Sequence, residues 1–182
     1  IEYYKGIFTT LSSCASRQLE EVTFRRATIS VPELMATAGK YFRKVYKGNK
    51  AHIDFKIQPL EGRITGDWNQ LRFLLENLID EACSVTLDGA VCLSAREDGE
   101  FIRFLFTDMR REKTREELNQ LFYPDLSRMT AGEKGELYGT EYLVCKQIIR
   151  DHDEFAGRRG CRINAEPGKE GGFTIYFTLP KK

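Results

Sequence analysis

The stretch from Asp67 to Thr86, DWNQLRFLLENLIDEACSVT, constrains the fold more than any other. Its apolar residues Trp68, Leu71, Leu75, Leu78 and Ala82 recur at steps of three and four, the stripe of a helix packed against a core. Asp67 stands as its N-cap, with Gln70 placed to close a capping box. At about 100° per residue, Gln70, Asn77, Glu81 and Ser84 gather on one flank beside the stripe. An amide and a carboxylate one turn apart suit a metal-phosphate group, because Mg²⁺ takes side-chain oxygens alongside phosphates. A solvated helix flank accounts for the same pattern.

A core helix needs partners, and the rest of the chain supplies them. From Ile1 to Val22, apolar or small residues at Ile1, Tyr4, Phe8, Leu11, Ala15 and Val22 come close to a heptad seam. This helix packs either on a second copy or on its own domain. Ser30 with Glu33 forms another capping box with Pro32 in the first turn, and the stripe Leu34, Met35, Ala38, Phe42 and Val45 runs on to a stop at Gly48-Asn49. Ile53, Phe55 and Ile57 alternate with polar residues, a strand with one buried face and His52 on the polar side. A short strand, Arg63 to Thr65, precedes the organising helix. Beyond it, Ala90 to Arg96 and Phe101 to Thr107 flank Asp98-Gly99, a strong hairpin signal. Thr114 and Glu117 cap a short helix carrying Leu118, Leu121 and Phe122, closed by Pro124. Asp125 to Tyr138 lacks periodicity and reads as a mobile loop. A helix from Thr140 to His152, a strand from Cys161 to Ala165, a glycine-rich turn from Pro167 to Gly172 and a strand from Phe173 to Leu179 complete the chain. Helices alternating with strands, two strand pairs of which are hairpins, predict a two-layer α/β sandwich. Its sheet is mixed and largely antiparallel, with helices on one face and the N-terminal helix appended. A purely parallel, doubly wound sheet is the alternative.

Charge narrows the function. With 28 basic against 27 acidic residues, no long-range field steers the chain to nucleic acid or an anionic membrane. No apolar run approaches the roughly 20 residues of a membrane span, and no signal peptide is present. The five cysteines stand singly, without CxxC spacing, which fits reduced thiols in a cytosol rather than disulfides or zinc. Ile1 in place of a starting Met is what a fragment of something longer would show. His52 and His152 form no nucleophilic set with Ser or Cys. His152, at a helix C-terminus, reads as a structural residue, stabilised by the dipole or by hydrogen bonds.

From about Ser30 to the end, the order of elements and several residues resemble the ATP-binding catalytic domain of sensor histidine kinases, in the wider GHKL or Bergerat-fold family. Asn77, Leu78, Ala82 and Thr86 are in register with the family's N box, and Asp108 ends its strand where the adenine-reading Asp lies. Leu121 to Pro124 looks like the Phe segment, and Gly139 to His152 like the last glycine box and its helix. Glu166 to Lys169 with Phe173 to Pro180 looks like the closing hairpin. The resemblance implies residues 1–26 as the end of a dimerisation hairpin and 27–182 as the ATPase domain. It implies ATP with Mg²⁺ as ligands, Asn77 and Glu81 at the metal, Asp108 at the adenine amino group and Gly139 at the phosphates. Arg110, Arg111 or Lys134 would reach in from the loops. Protein partners in signalling and a homodimer through the N-terminal helix follow from it as well.

Departures from the family pattern sit in the site itself. Glu81 replaces the second N-box Asn. It can ligate Mg²⁺, yet beside the phosphates, at about 5 Å and an effective dielectric near 20, it adds roughly 3 kcal/mol of repulsion. The two glycines after Asp108 are Arg110 and Glu112, which removes backbone freedom there. Leu137, Gly139 and Glu141 stand where the last box has three glycines, and Glu141 brings a built-in anion to the helix end that lodges phosphates. The expectation is a degenerate site with weak or absent ATP binding, in a docking or dimerising module. A competent Mg-ATP-binding catalytic domain is the alternative. Glu141→Gly should raise anion affinity, provided Arg110 and Glu112 do not block adenine.

Overall fold

The structure, a computed structural model, describes residues 24–123, 130–131, 137–138 and 140–182. The expected N-terminal helix, Pro124, Lys134 and Gly139 lie outside the described residues.

The main sheet has five strands. They are β2 (Ile53–Gln58), β4 (Gly89–Asp98), β5 (Phe101–Asp108), β9 (Phe173–Pro180) and β8 (Ile163–Pro167), in that spatial order. Only β2 with β4 is parallel; the other three pairings are antiparallel. The Asp98-Gly99 and 167–172 turns are both hairpins, which excludes a doubly wound sheet. Period-two alternation sorts the residues by face. Val91, Leu93, Ile102, Phe104, Phe106, Phe173, Ile175 and Phe177 are buried. Arg103, Leu105, Thr107 and Tyr176 are half-exposed on the other side. A separate ladder pairs β1 (Ala27–Ser30) with β3 (Arg63–Gly66). β1 escaped the sequence reading because four residues leading straight into a helix show no alternation of their own.

Helices cover the buried face. They are α1 (Val31–Val45), α2 (Trp68–Cys83), the short α3 (Arg115–Gln120) and α4 (Glu141–Phe155). In α1, Ser30 accepts from the Glu33 N–H at 3.3 Å; Leu34, Met35 and Ala38 are buried. Phe42 packs on Phe55 with ring centroids 5.0 Å apart. Val45 is 48% exposed, so the stripe stops one turn earlier than its spacing suggests. α1 and α2 are joined by Asp80, whose Oδ1 accepts from Tyr41 at 2.7 Å and Tyr46 at 2.6 Å. The Thr114 and Glu117 capping box forms with both of its hydrogen bonds. Within the stretch read as a loop, β6 (Thr130–Ala131) pairs antiparallel with β7 (Leu137–Tyr138). Two-residue strands are too short for periodicity to reveal. β8 starts two residues later than expected, because Asp153 Oδ1 takes the Gly160 and Cys161 N–H groups at 2.7 and 3.1 Å and holds them beside the end of α4.

Candidate nucleotide site and its internal cations

α2 carries the organising stripe, with Leu71, Leu75, Leu78 and Ala82 buried, and adds Leu74, Ile79 and Cys83. Its N-cap differs from the expected box. Asp67 accepts from the Gln70 N–H at 3.1 Å, but the Asp67 N–H donates to His152 Nε2 at 3.0 Å rather than to Gln70. A tertiary partner, fully buried on α4, has displaced the local one. The other oxygen of Asp67 accepts from the Arg25 N–H at 2.8 Å.

The His152 ring donates from Nδ1 to the Ile148 carbonyl at 2.8 Å. With Nε2 accepting, the ring is the neutral Nδ1–H tautomer. Burial pushes its pKa down to about 4, against smaller opposing contributions from the Ile148 carbonyl and Asp67. Of the two structural roles expected for His152, the hydrogen-bonded one holds, and a dipole-stabilised cation does not.

The flank of α2 meets the end of β5. Asp108 is 1% exposed. Its Oδ1 accepts from the Arg110 N–H at 3.0 Å and from Arg110 Nε at 2.9 Å; its Oδ2 accepts from Arg110 Nη2 and Arg111 Nε, both at 2.9 Å. Those four bonds fill the roughly four lone-pair sites of a carboxylate. Burial alone would raise the Asp108 pKa, but the hydrogen bonds from Arg110 and the two guanidinium charges outweigh it, leaving the carboxyl below the usual carboxylate range.

Arg110 also donates to the main-chain carbonyls of Ala82, Val85 and Leu87. These carbonyls lie at and just beyond the end of α2 at Cys83, where a helix runs out of intrahelical donors. Arg111 turns to the same helix from its flank. Its Nη1 and Nη2 lie 3.3 and 3.0 Å from the two oxygens of Glu81, and Oε2 also accepts from the Tyr142 hydroxyl of α4 at 2.5 Å. Burial opposes the Arg111 cation, and the hydrogen bond and charge of Glu81 more than offset it, so its pKa is raised. Burial and the Glu81 charge likewise hold the Tyr142 hydroxyl protonated well beyond its ordinary range.

Around this cluster, Glu112 accepts from the Gly172 N–H at 2.8 Å, and Arg111 lies 5.3 Å over the Phe173 ring. Gly172 has φ +70°, and a Cβ there would stand 2.0 Å from the Asp108 carbonyl. Only glycine allows β9 to pass this close to the end of β5. Asn77, half-buried one turn before Glu81, donates its amide to the Phe73 carbonyl of its own helix at 2.7 Å. Glu141 opens the first turn of α4, as expected. The structure therefore unites Glu81 and Asp108 through Arg111, leaves Asn77 turned to its own backbone, and turns Arg110 and Arg111 inward. Tyr142 was missed by the sequence reading; a tyrosine in a helical first turn carries no signal of a partner on another helix.

A mixed sheet with helices on one face, and a buried Asp at a strand end facing the flank of a core helix, define the ATPase fold of histidine kinases. The chain belongs to the family of histidine kinase-, DNA gyrase B- and HSP90-like ATPases, whose sequence profile matches residues 66–182. It is 26% identical over 177 residues to the adaptive-response sensory kinase SasA of Thermosynechococcus vestitus, covering 96% of this chain and 44% of that one. The chain thus spans less than half the length of that relative. Among solved structures, the catalytic domain of histidine kinase ThkA superposes with TM-score 0.66 at 18% identity, over 86% of this chain and 96% of its own. Acinetobacter baumannii histidine kinase AdeS superposes with TM-score 0.67 at 15% identity, over 96% and 75%.

The family binds ATP, typically with Mg²⁺. In this arrangement the side chains at which the resemblance places that ligand are already partnered within the chain. The Asp108 acceptors to which the resemblance assigns an adenine amino group are each filled from within the chain. A divalent cation at Glu81 would have to share the carboxylate with a guanidinium.

Proposed function

We propose that this domain keeps the histidine-kinase ATPase fold without its nucleotide affinity, and serves a two-component signalling protein as a docking or dimerising module. The observation that carries this reading is the saturated Asp108 carboxylate. Glu141 at the start of α4 adds an independent obstacle, because it places an anion at the helix end that would take phosphate. Docking draws support from the fold neighbour ThkA, solved in complex with the response regulator TrrA, whose likeness spans 98% of this chain at TM-score 0.66. Dimerising would fall to the seam of Ile1, Tyr4, Phe8 and Leu11.

Calorimetric titration of Mg-ATP tests the reading. The parent chain should give a flat response. Glu141→Gly should be equally flat, since it frees the helix end but not Asp108. Micromolar binding by the parent, about −8 kcal/mol, would instead favour the competent catalytic domain that family membership otherwise suggests.

A further inference from the structure

The two arginines that fill the site are held in different ways. Arg110, with its side chain 1% exposed, bonds both oxygens of Asp108 and three main-chain carbonyls at and beyond the end of α2. Removing it strips a helix end. Arg111 is 15% exposed, and its hydrogen bonds run to the side-chain carboxylates of Asp108 and Glu81. Its departure would leave the backbone intact and two carboxylates, from β5 and α2, facing one vacated space.

We propose, building on the reading above, that Arg111 is an internal occupant of the family's metal-nucleotide site, a guanidinium whose place an external cation takes only once the side chain is removed, whereas Arg110 is a fixed strut. The charges support this division. Asp108, Glu81, Arg110 and Arg111 sum to zero, so the chain supplies the neutralisation that a bound cation would otherwise bring. Glu81 is therefore a paired anion and not the free one that its place in the sequence suggested. The planar fork matters as much as the charge. Nε reaches one carboxylate while Nη1 and Nη2 take both oxygens of the other, a span that a single ammonium cannot reproduce. Through this one side chain the end of β5, α2 and the Phe173 ring of β9 are tied together, and Tyr142 brings in α4 through Glu81. The site is thereby kept in a filled arrangement that needs no ligand.

The test compares the full 182-residue chain with its Arg111→Ala variant, using Mn²⁺ and methylguanidinium as probes. The parent should show no Mn²⁺ binding by water-proton relaxation and no rise in Tm with millimolar methylguanidinium. In the variant, Tm should fall by roughly 5 °C. Methylguanidinium should recover part of that loss, and Mn²⁺ should bind at least about tenfold tighter than to the parent. Arg111→Gln keeps more of the stem over Phe173, and carries the same expectations if the alanine variant does not fold. A variant that neither binds Mn²⁺ nor regains Tm with methylguanidinium overturns the proposal while leaving the degenerate reading standing. Micromolar Mg-ATP binding by the parent overturns both.

Discussion

At the scale of single residues, His152 has the largest consequence outside the site. Both ring nitrogens are engaged, one accepting from the Asp67 N–H and one donating to Ile148. A proton on Nε2 would face another N–H. Its folded pKa of about 4 lies below the ordinary 6.5, so between those values the unfolded chain binds more protons. Stability from this residue is complete above 6.5 and is lost as pH falls toward 4, by roughly 3 kcal/mol. Urea unfolding at pH 7 and pH 4.5 should show that slope, and His152→Gln should flatten it. Gly66 belongs to the same junction. A Cβ there would stand 2.9 Å from Leu71 Cδ1 and 3.0 Å from the His152 ring, so a larger residue at the end of β3 would have to push both side chains aside.

At the scale of elements, the end of α2 depends on a side chain from the turn after β5. Arg110 takes carbonyls at and just beyond the helix end, and it neutralises a buried carboxylate in the same pose. Breaking a buried ion pair by removing one partner leaves the other charge stranded, at a cost of about 3–5 kcal/mol. Arg110→Ala should lose stability on that scale in chemical denaturation. A much smaller loss would show that Arg111 alone can neutralise Asp108. Gly89 is part of this packing, since a Cβ on it would stand 2.7 Å from Arg110 Cγ.

For the whole molecule, the absence of a histidine between Ile1 and Val22 bears on activity. The resembled kinases phosphorylate a histidine in the helix that this segment would continue. His152 is fully buried with both nitrogens engaged, and His52 is exposed on the polar edge of the sheet. Incubation of the chain with γ-labelled ATP should leave both unlabelled. Acid-labile label on either one would mean that phosphoryl transfer persists in a site we read as filled. No helix among the described residues is long and apolar enough to cross a membrane.

Much of the architecture was legible in the sequence because it rests on local physics. The stripe of α2, the alternation of β2, the Asp98-Gly99 turn and the Thr114 and Glu117 box depend on neighbours within a few residues, and each appears in the structure. The positions of Glu81 and Asp108 were equally readable from their register in a known pattern. What those groups do was decided by residues far away in the chain. Gln70 gave up its half of a capping box to His152, 85 residues from Asp67. Arg111 reaches Glu81 across 30 residues, and Tyr142 reaches it across 61. A buried carboxylate must find a counter-charge, so its presence in a sequence announces that a partner exists. That this partner is the chain's own guanidinium is set by how the end of β5 lies against the flank of α2. Only the tertiary structure brings those two surfaces together.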